Sequence, residues 1–116
     1  MYKNLILFVF LTFFACSKEY EYNELIELED GIYSLEFSSN PLTGKVYEIF
    51  GESSNRKKVH VGNLVNGKRD GLWTFWHSNG IKEEEVNYID GKEDGLLTVW
   101  DIDGDKQYEE TYINGK

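Results

Sequence analysis

From residue 71 to residue 91 the sequence GLWTFWHSNGIKEEEVNYIDG reads as two strand-like runs, broken by Asn79-Gly80 and closed by Asp90-Gly91. The first run is rich in aromatic and β-branched residues, and the second has the alternating polarity of a half-buried strand. Asn-Gly between such runs is the strongest short-range sign of a hairpin, because both central residues of a type I′ turn take positive φ. The chain then repeats the phrase: NGKRDGLWTFW at 66–76 becomes DGKEDGLLTVW at 90–100, and Asp103-Gly104 takes the place of Asn79-Gly80.

The repeat has a period of 24 residues. Lys58, Lys82 and Lys106 align, as do Gly67, Gly91 and Gly115; Gly71 aligns with Gly95, Trp76 with Trp100, Gly80 with Gly104, and Tyr88 with Tyr112. A fixed period in the range of about 20 to 50 residues marks an array whose units bury their apolar faces by stacking on their neighbours. Each unit is predicted to be a β-hairpin, joined to the next by the NGKRDG and DGKEDG turns, with Gly67, Gly71, Gly80, Gly91, Gly95 and Gly104 as the turn glycines. Upstream, Gly44 lies 27 residues before Gly71, so three residues are inserted near GESSN in the first hairpin. GIYSLEFSSNP reads as a lead-in strand that ends at Asn40-Pro41.

The register Gly71-Leu72-Trp73, Trp76, Asn79-Gly80, Tyr88-Ile89-Asp90-Gly91-Lys92 and its copy resemble the bacterial variant of the MORN repeat, a group whose members are often labelled antitoxins. The likeness covers about residues 42–116. It implies an all-β fold, a single-layer twisted antiparallel sheet of tandem hairpins, and a role in binding. Leu97 replaces the aromatic Trp73, and Gly62 stands where later units have Val86 and Glu110. With copies this degenerate, a ligand role that needs identical pockets in every unit is not expected.

A two-residue turn at Asn79-Gly80 places Trp73 across from Val86 and Phe75 across from Glu84 on one face. Leu72, Thr74 and Trp76 then stand opposite Asn87, Glu85 and Glu83 on the other. Translation by one period adds Leu97, Val99 and Tyr112 to the first face and Leu96, Thr98, Trp100 and Ile113 to the second. Aromatics on both faces have two readings: rings that cover a glycine-rich backbone, at about 0.2 to 1 kcal/mol per cross-strand pair, or an exposed strip for a protein or glycan partner. Trp76, Trp100, Tyr88 and Tyr112 are the candidate binding residues. A final strand near Gln107–Ile113 with no capping unit offers unpaired backbone groups for self-association or a partner strand.

The amino-terminal residues change the cellular picture. MYKNLILFVFLTFFAC has an early Lys3 and an apolar run from Leu5 to Ala15 that stops at Cys16, the only cysteine. This is too short to span a bilayer and has signal-peptide anatomy. Its end resembles the lipobox of bacterial lipoproteins, with Phe13 and Phe14 departing from the usual pattern, and implies lipidation of Cys16. The expected organisation is a signal peptide at 1–15, helical in character, an acidic tether at 16–30, and a repeat domain at 31–116 with units at about 42–67, 68–91 and 92–116. An ordinary hydrophobic signal or a short uncleaved anchor is the competing reading.

The chain has 12 Lys and Arg against 21 Asp and Glu, a formal charge of −9, and loss of Lys3 with the leader takes it lower. Such a surface repels nucleic acid, and membrane contact is expected from the acyl chains. DIDGD at 101–105 has the 1, 3, 5 spacing of a calcium loop, but Lys106 and Tyr112 stand where that loop needs Gly and Glu. His60 and His77 occupy different places in their units and read as solvent-facing strand residues. Consecutive Glu83, Glu84 and Glu85 point to alternate faces, which spoils an acid–base pair. The expectation is therefore a non-enzymatic, lipid-anchored protein-binding or scaffold module of the bacterial cell envelope, at the outer membrane on its periplasmic or surface side, without cofactor or metal. The alternative is an antitoxin-like or immunity protein that neutralises a toxin by direct binding, and would rescue growth when expressed beside it.

If Cys16 carries the anchor, Cys16→Ser releases the protein to the soluble fraction, since each buried CH₂ of an acyl chain contributes about 0.8 kcal/mol. Retention on membranes after a high-salt wash of the variant would contradict lipidation as the anchor.

Overall fold

The computed structural model describes residues 18–36, 38 and 40–116. The expected signal peptide and Cys16 lie outside them. The described chain is all-β, with strands β1 (Glu19–Glu21), β2 (Leu25–Glu27), β3 (Tyr33–Leu35), β4 (Gly44–Phe50), β5 (Lys57–Val65), β6 (Lys68–Trp76), β7 (Lys82–Ile89), β8 (Lys92–Trp100) and β9 (Lys106–Tyr112). From β4 to β9 each strand pairs with the next in antiparallel fashion, giving a large twisted sheet of adjacent hairpins. β1 joins its edge in parallel with β4, and β2 pairs with β3 in a separate two-stranded ribbon.

Two kinds of turn alternate along the sheet. At Asn66-Gly67, Asp90-Gly91 and Asn114-Gly115 both residues have positive φ, as a type I′ turn requires. At Asn79-Gly80 and Asp103-Gly104 only the glycine does, with φ of 88° and 91°. These are three-residue loops: the Gly80 N–H donates to the His77 carbonyl and the His77 N–H to the Ile81 carbonyl, a pattern repeated between Asp101, Gly104 and Asp105. The extra loop residue brings a bulge, so Trp76 pairs with Lys82 and not with Glu83. The remaining predicted pairs hold, Trp73 with Val86, Phe75 with Glu84, Leu72 with Asn87 and Thr74 with Glu85. Gly71 and Gly95 are not turn residues; they lie inside β6 and β8 with φ of 76° and 101°. Across from Gly95 the β7–β8 register shifts.

Neighbouring units are stapled at both ends with the sequence period. At one end the Gly91 N–H donates to the Arg69 carbonyl and the Gly115 N–H to that of Glu93. At the other, His77 Nε2 contacts the Trp100 carbonyl at 2.9 Å and Asn79 Nδ2 donates to that of Ile102 at 2.7 Å. His77 is thus a half-buried loop residue that ties two units together, and not a solvent-facing strand residue.

The core lies on one face, around Leu42, Val46, Val61, Leu64, Trp73, Val86, Tyr88 and Leu97. Tyr20, Tyr22, Leu25, Tyr33 and Leu35 pack against it from the amino-terminal side. Where the sequence suggests a solvated tether, the chain from Glu19 onward is therefore folded onto the sheet. Glu19, Glu24, Glu27 and Glu29 remain at the surface while Tyr20 and Tyr22 turn inward, because burying those rings removes more apolar area from water than a tether would.

Gly62 and Trp73 are the point of closest packing. A Cβ built on Gly62 would lie 2.3 Å from the Trp73 indole, and the indole Nε1–H donates to the Asn63 carbonyl at 3.1 Å. One period later the matching residues are Val86 and Leu97, directly paired and both buried. The change that reads as repeat decay is a volume exchange: glycine under tryptophan in one unit, valine beside leucine in the next. Gly62 is not among the positive-φ glycines, so valine is compatible with its backbone. Gly62→Val should destabilise by about 1 to 3 kcal/mol through overpacking. Gly62→Val with Trp73→Leu should lose less than the sum of the single changes, by about 0.5 to 3 kcal/mol in thermal unfolding. Strict additivity would contradict the exchange.

Candidate functional site

The core face carries a cation the sequence reading passed over. Arg69 lies in β6 with its guanidinium carbon 4.7 Å from the Trp73 ring centre, 5.1 Å from Tyr33, 5.2 Å from Tyr88 and 5.6 Å from Phe75. Its Nη1 donates to the Tyr88 hydroxyl at 2.8 Å and its Nη2 to that of Tyr22 at 3.5 Å. Burial opposes its charge, and the Tyr88 and Tyr33 hydroxyls outweigh that effect, so its pKa stands above the ordinary value. The cage is filled by the protein's own side chain and serves as a cross-link between the sheet and the amino-terminal segment. One signal was legible: Arg69 occupies the position held by Glu93 one period later.

Beside the cage, Tyr22, Glu48, Arg69, Phe75, Trp76, Glu83 and Glu84 line a cavity of about 440 Å³. Burial, followed by the Glu93 charge, pushes the Glu84 carboxyl above its usual range, with Arg69 pulling the other way. Burial and Glu83 do the same to Glu48. Among the described residues that line this cavity none is Ser, Thr, Cys, His or Lys.

The second face is organised as columns. Trp76 pairs with Lys82, and Trp100 with Lys106; the Lys82 ammonium stands 5.9 Å from the Trp100 ring centre. Lys82 bridges to Glu85 and Lys106 to Glu109, each at 2.6 Å. Thr74 and Thr98 lie buried in the next row, while Leu72 and Leu96 beyond them are 54% and 49% exposed. Trp76 and Trp100 are half-buried, two strands apart, which is about 10 Å. The four candidate binding residues therefore do not form one surface. Trp76 and Trp100 share the second face, Tyr88 is buried in the core beneath Arg69, and Tyr112 lies partly buried on the core side, its hydroxyl donating to Glu110 at 3.2 Å.

The Asp101 carboxylate is committed to its own loop, accepting from the Asp103 and Asp105 N–H groups through Oδ1 and from Gln107 Nε2 through Oδ2. No cluster of three His, Cys, Asp or Glu side chains suited to a metal occurs among the described residues. His60 Nε2 lies 3.1 Å from Asn63 Oδ1. No family model, curated protein or solved structure matches the chain.

A carboxyl whose folded pKa is raised binds its proton more tightly in the folded chain. Stability then falls as pH rises from the ordinary glutamate value through the raised one, and stays reduced above it. Glu84→Gln, which removes that charge, should raise the melting temperature at pH 7, with the gain vanishing below roughly pH 4. A lower melting temperature for the variant at pH 7 would show that the Glu84 charge supports the fold.

Proposed function

We propose that this protein is a non-enzymatic binding module, a tandem-hairpin repeat of MORN-like type held in the bacterial envelope by lipid on Cys16, and that its second sheet face receives a protein partner. The observation that carries this reading is the pair of columns on that face. Leu72 and Leu96 stand about half exposed, with Trp76 and Trp100 beside them at the same period. Around Trp73 and Arg69 the core face is covered by the amino-terminal segment, whereas Leu72 and Leu96 on the second face remain exposed among the described residues. Its Lys82–Glu85 and Lys106–Glu109 bridges neutralise each other, which leaves an apolar strip with little local charge on a strongly acidic chain. Aromatic and aliphatic anchors of this kind dominate interface energies.

Leu72→Glu with Leu96→Glu should leave thermal unfolding within about 1 kcal/mol of the parent, because both side chains already face water. The same pair should lower partner capture from envelope extract at least tenfold. Undiminished capture by a folded double variant would remove this face from the reading.

A further inference from the structure

The first hairpin carries a feature that the Leu and Trp columns do not include. β5 and β6 pair only from Asn63–Asp70 to Val65–Lys68, whereas the corresponding strands one period later remain paired as far as Glu84–Val99. Around the unpaired part of β5 lie two adjoining cavities of about 500 and 460 Å³ that share Lys58 and His60. Lys45 and Tyr47 line the first, and Lys57 and Trp76 the second.

Charge sets these cavities apart from the rest of the molecule. The chain carries 21 acidic residues, yet among the described residues the two linings contain one carboxylate, Glu19, and it is ion-paired with Lys58. Lys45 and Lys57 make no ion pair among the described residues. Each cavity also has an aromatic wall: the Lys58 ammonium sits 4.1 Å from the Tyr47 ring centre, and Trp76 stands in the second lining. Cations spread over two neighbouring hollows, each beside a ring, match a ligand with repeated negative groups and flat C–H faces. A single small anion would use only part of one hollow.

We propose that these cavities bind an acidic saccharide of hexuronate type, its carboxylates against Lys45, Lys57 and His60 and its sugar rings against Tyr47 and Trp76. The site goes beyond the protein-binding reading: Lys45, Tyr47 and His60 lie farther along the same second face, and Trp76 is the residue it shares with the Leu and Trp columns. The repulsion of a strongly negative protein for a polyanion is screened beyond about 8 Å at physiological ionic strength, while contacts within the cavities are screened less.

The test is a titration of the ¹⁵N-labelled full chain in detergent with trigalacturonate, following the indole N–H signals, that of Trp76 being assigned with Trp76→Phe. A saturable shift of the Trp76 signal, with the Trp100 signal unmoved, is expected. Lys45→Gln with Lys57→Gln should weaken binding at least tenfold, and neutral galactotriose should bind at least tenfold more weakly than the acid. Leu96→Glu should leave the affinity unchanged, so loss of protein capture and loss of saccharide binding are separable. The proposal is overturned if Trp76 does not shift, if galactotriose binds as well as the acid, or if inorganic phosphate at matched ionic strength displaces trigalacturonate at equal concentration, since the cavities would then read charge alone.

Discussion

Trp73 lying against the backbone of Gly62 is the contact on which the remaining structure depends. The indole occupies the space a side chain at position 62 would take, and its N–H satisfies the Asn63 carbonyl. Its other contacts are with Tyr22, Phe75, Tyr88 and the Arg69 guanidinium. A single-layer sheet has no second sheet to bury its core face against, so one large ring must serve several strands at once. Through that ring the amino-terminal segment is joined to the repeats, and the segment's own tyrosines then exclude water from Arg69.

The two faces diverge in consequence. The core face is occupied by the chain itself, and its caged cation is already supplied from β6. Among the described residues the second face carries no such cover, and there the period of the sequence appears as a period of chemistry: tryptophan and lysine in one row, threonine and glutamate in the next, leucine with asparagine or threonine in the third. Where the first hairpin departs from the period, through its longer loop and its early loss of pairing with β6, the surface departs as well and brings Lys45, Lys57 and Lys58 around two hollows. Regular units supply a flat apolar strip, and the irregular one supplies a basic hollow.

Much of the sheet was legible because its signals are local. Alternation, Asn-Gly and Asp-Gly pairs and the fixed period specify hairpins and most of their cross-strand pairs. The turn type at Asn79-Gly80 was not, since the dipeptide suits both a type I′ turn and the glycine of a three-residue loop, and the choice moved Trp76 from Glu83 to Lys82. Tyr20 and Tyr22 were hidden in a run dominated by glutamate, where charge suggested solvation and the two-residue alternation was too short to stand out. The exchange of Gly62 and Trp73 for Val86 and Leu97 is visible only across strands, because neither member explains the other within its own unit.

Hydrogen–deuterium exchange of the tryptophan indole N–H protons tests the central contact most directly. The Trp73 proton is bonded to the Asn63 carbonyl within a fully buried ring, so the account predicts that it exchanges only on global unfolding and responds to denaturant with the full slope of the unfolding transition. Trp100, half-buried on the second face, should exchange through smaller openings and with a weaker denaturant dependence. A Trp73 indole proton that exchanges as fast as that of Trp100 would contradict the claim that this ring holds the sheet together.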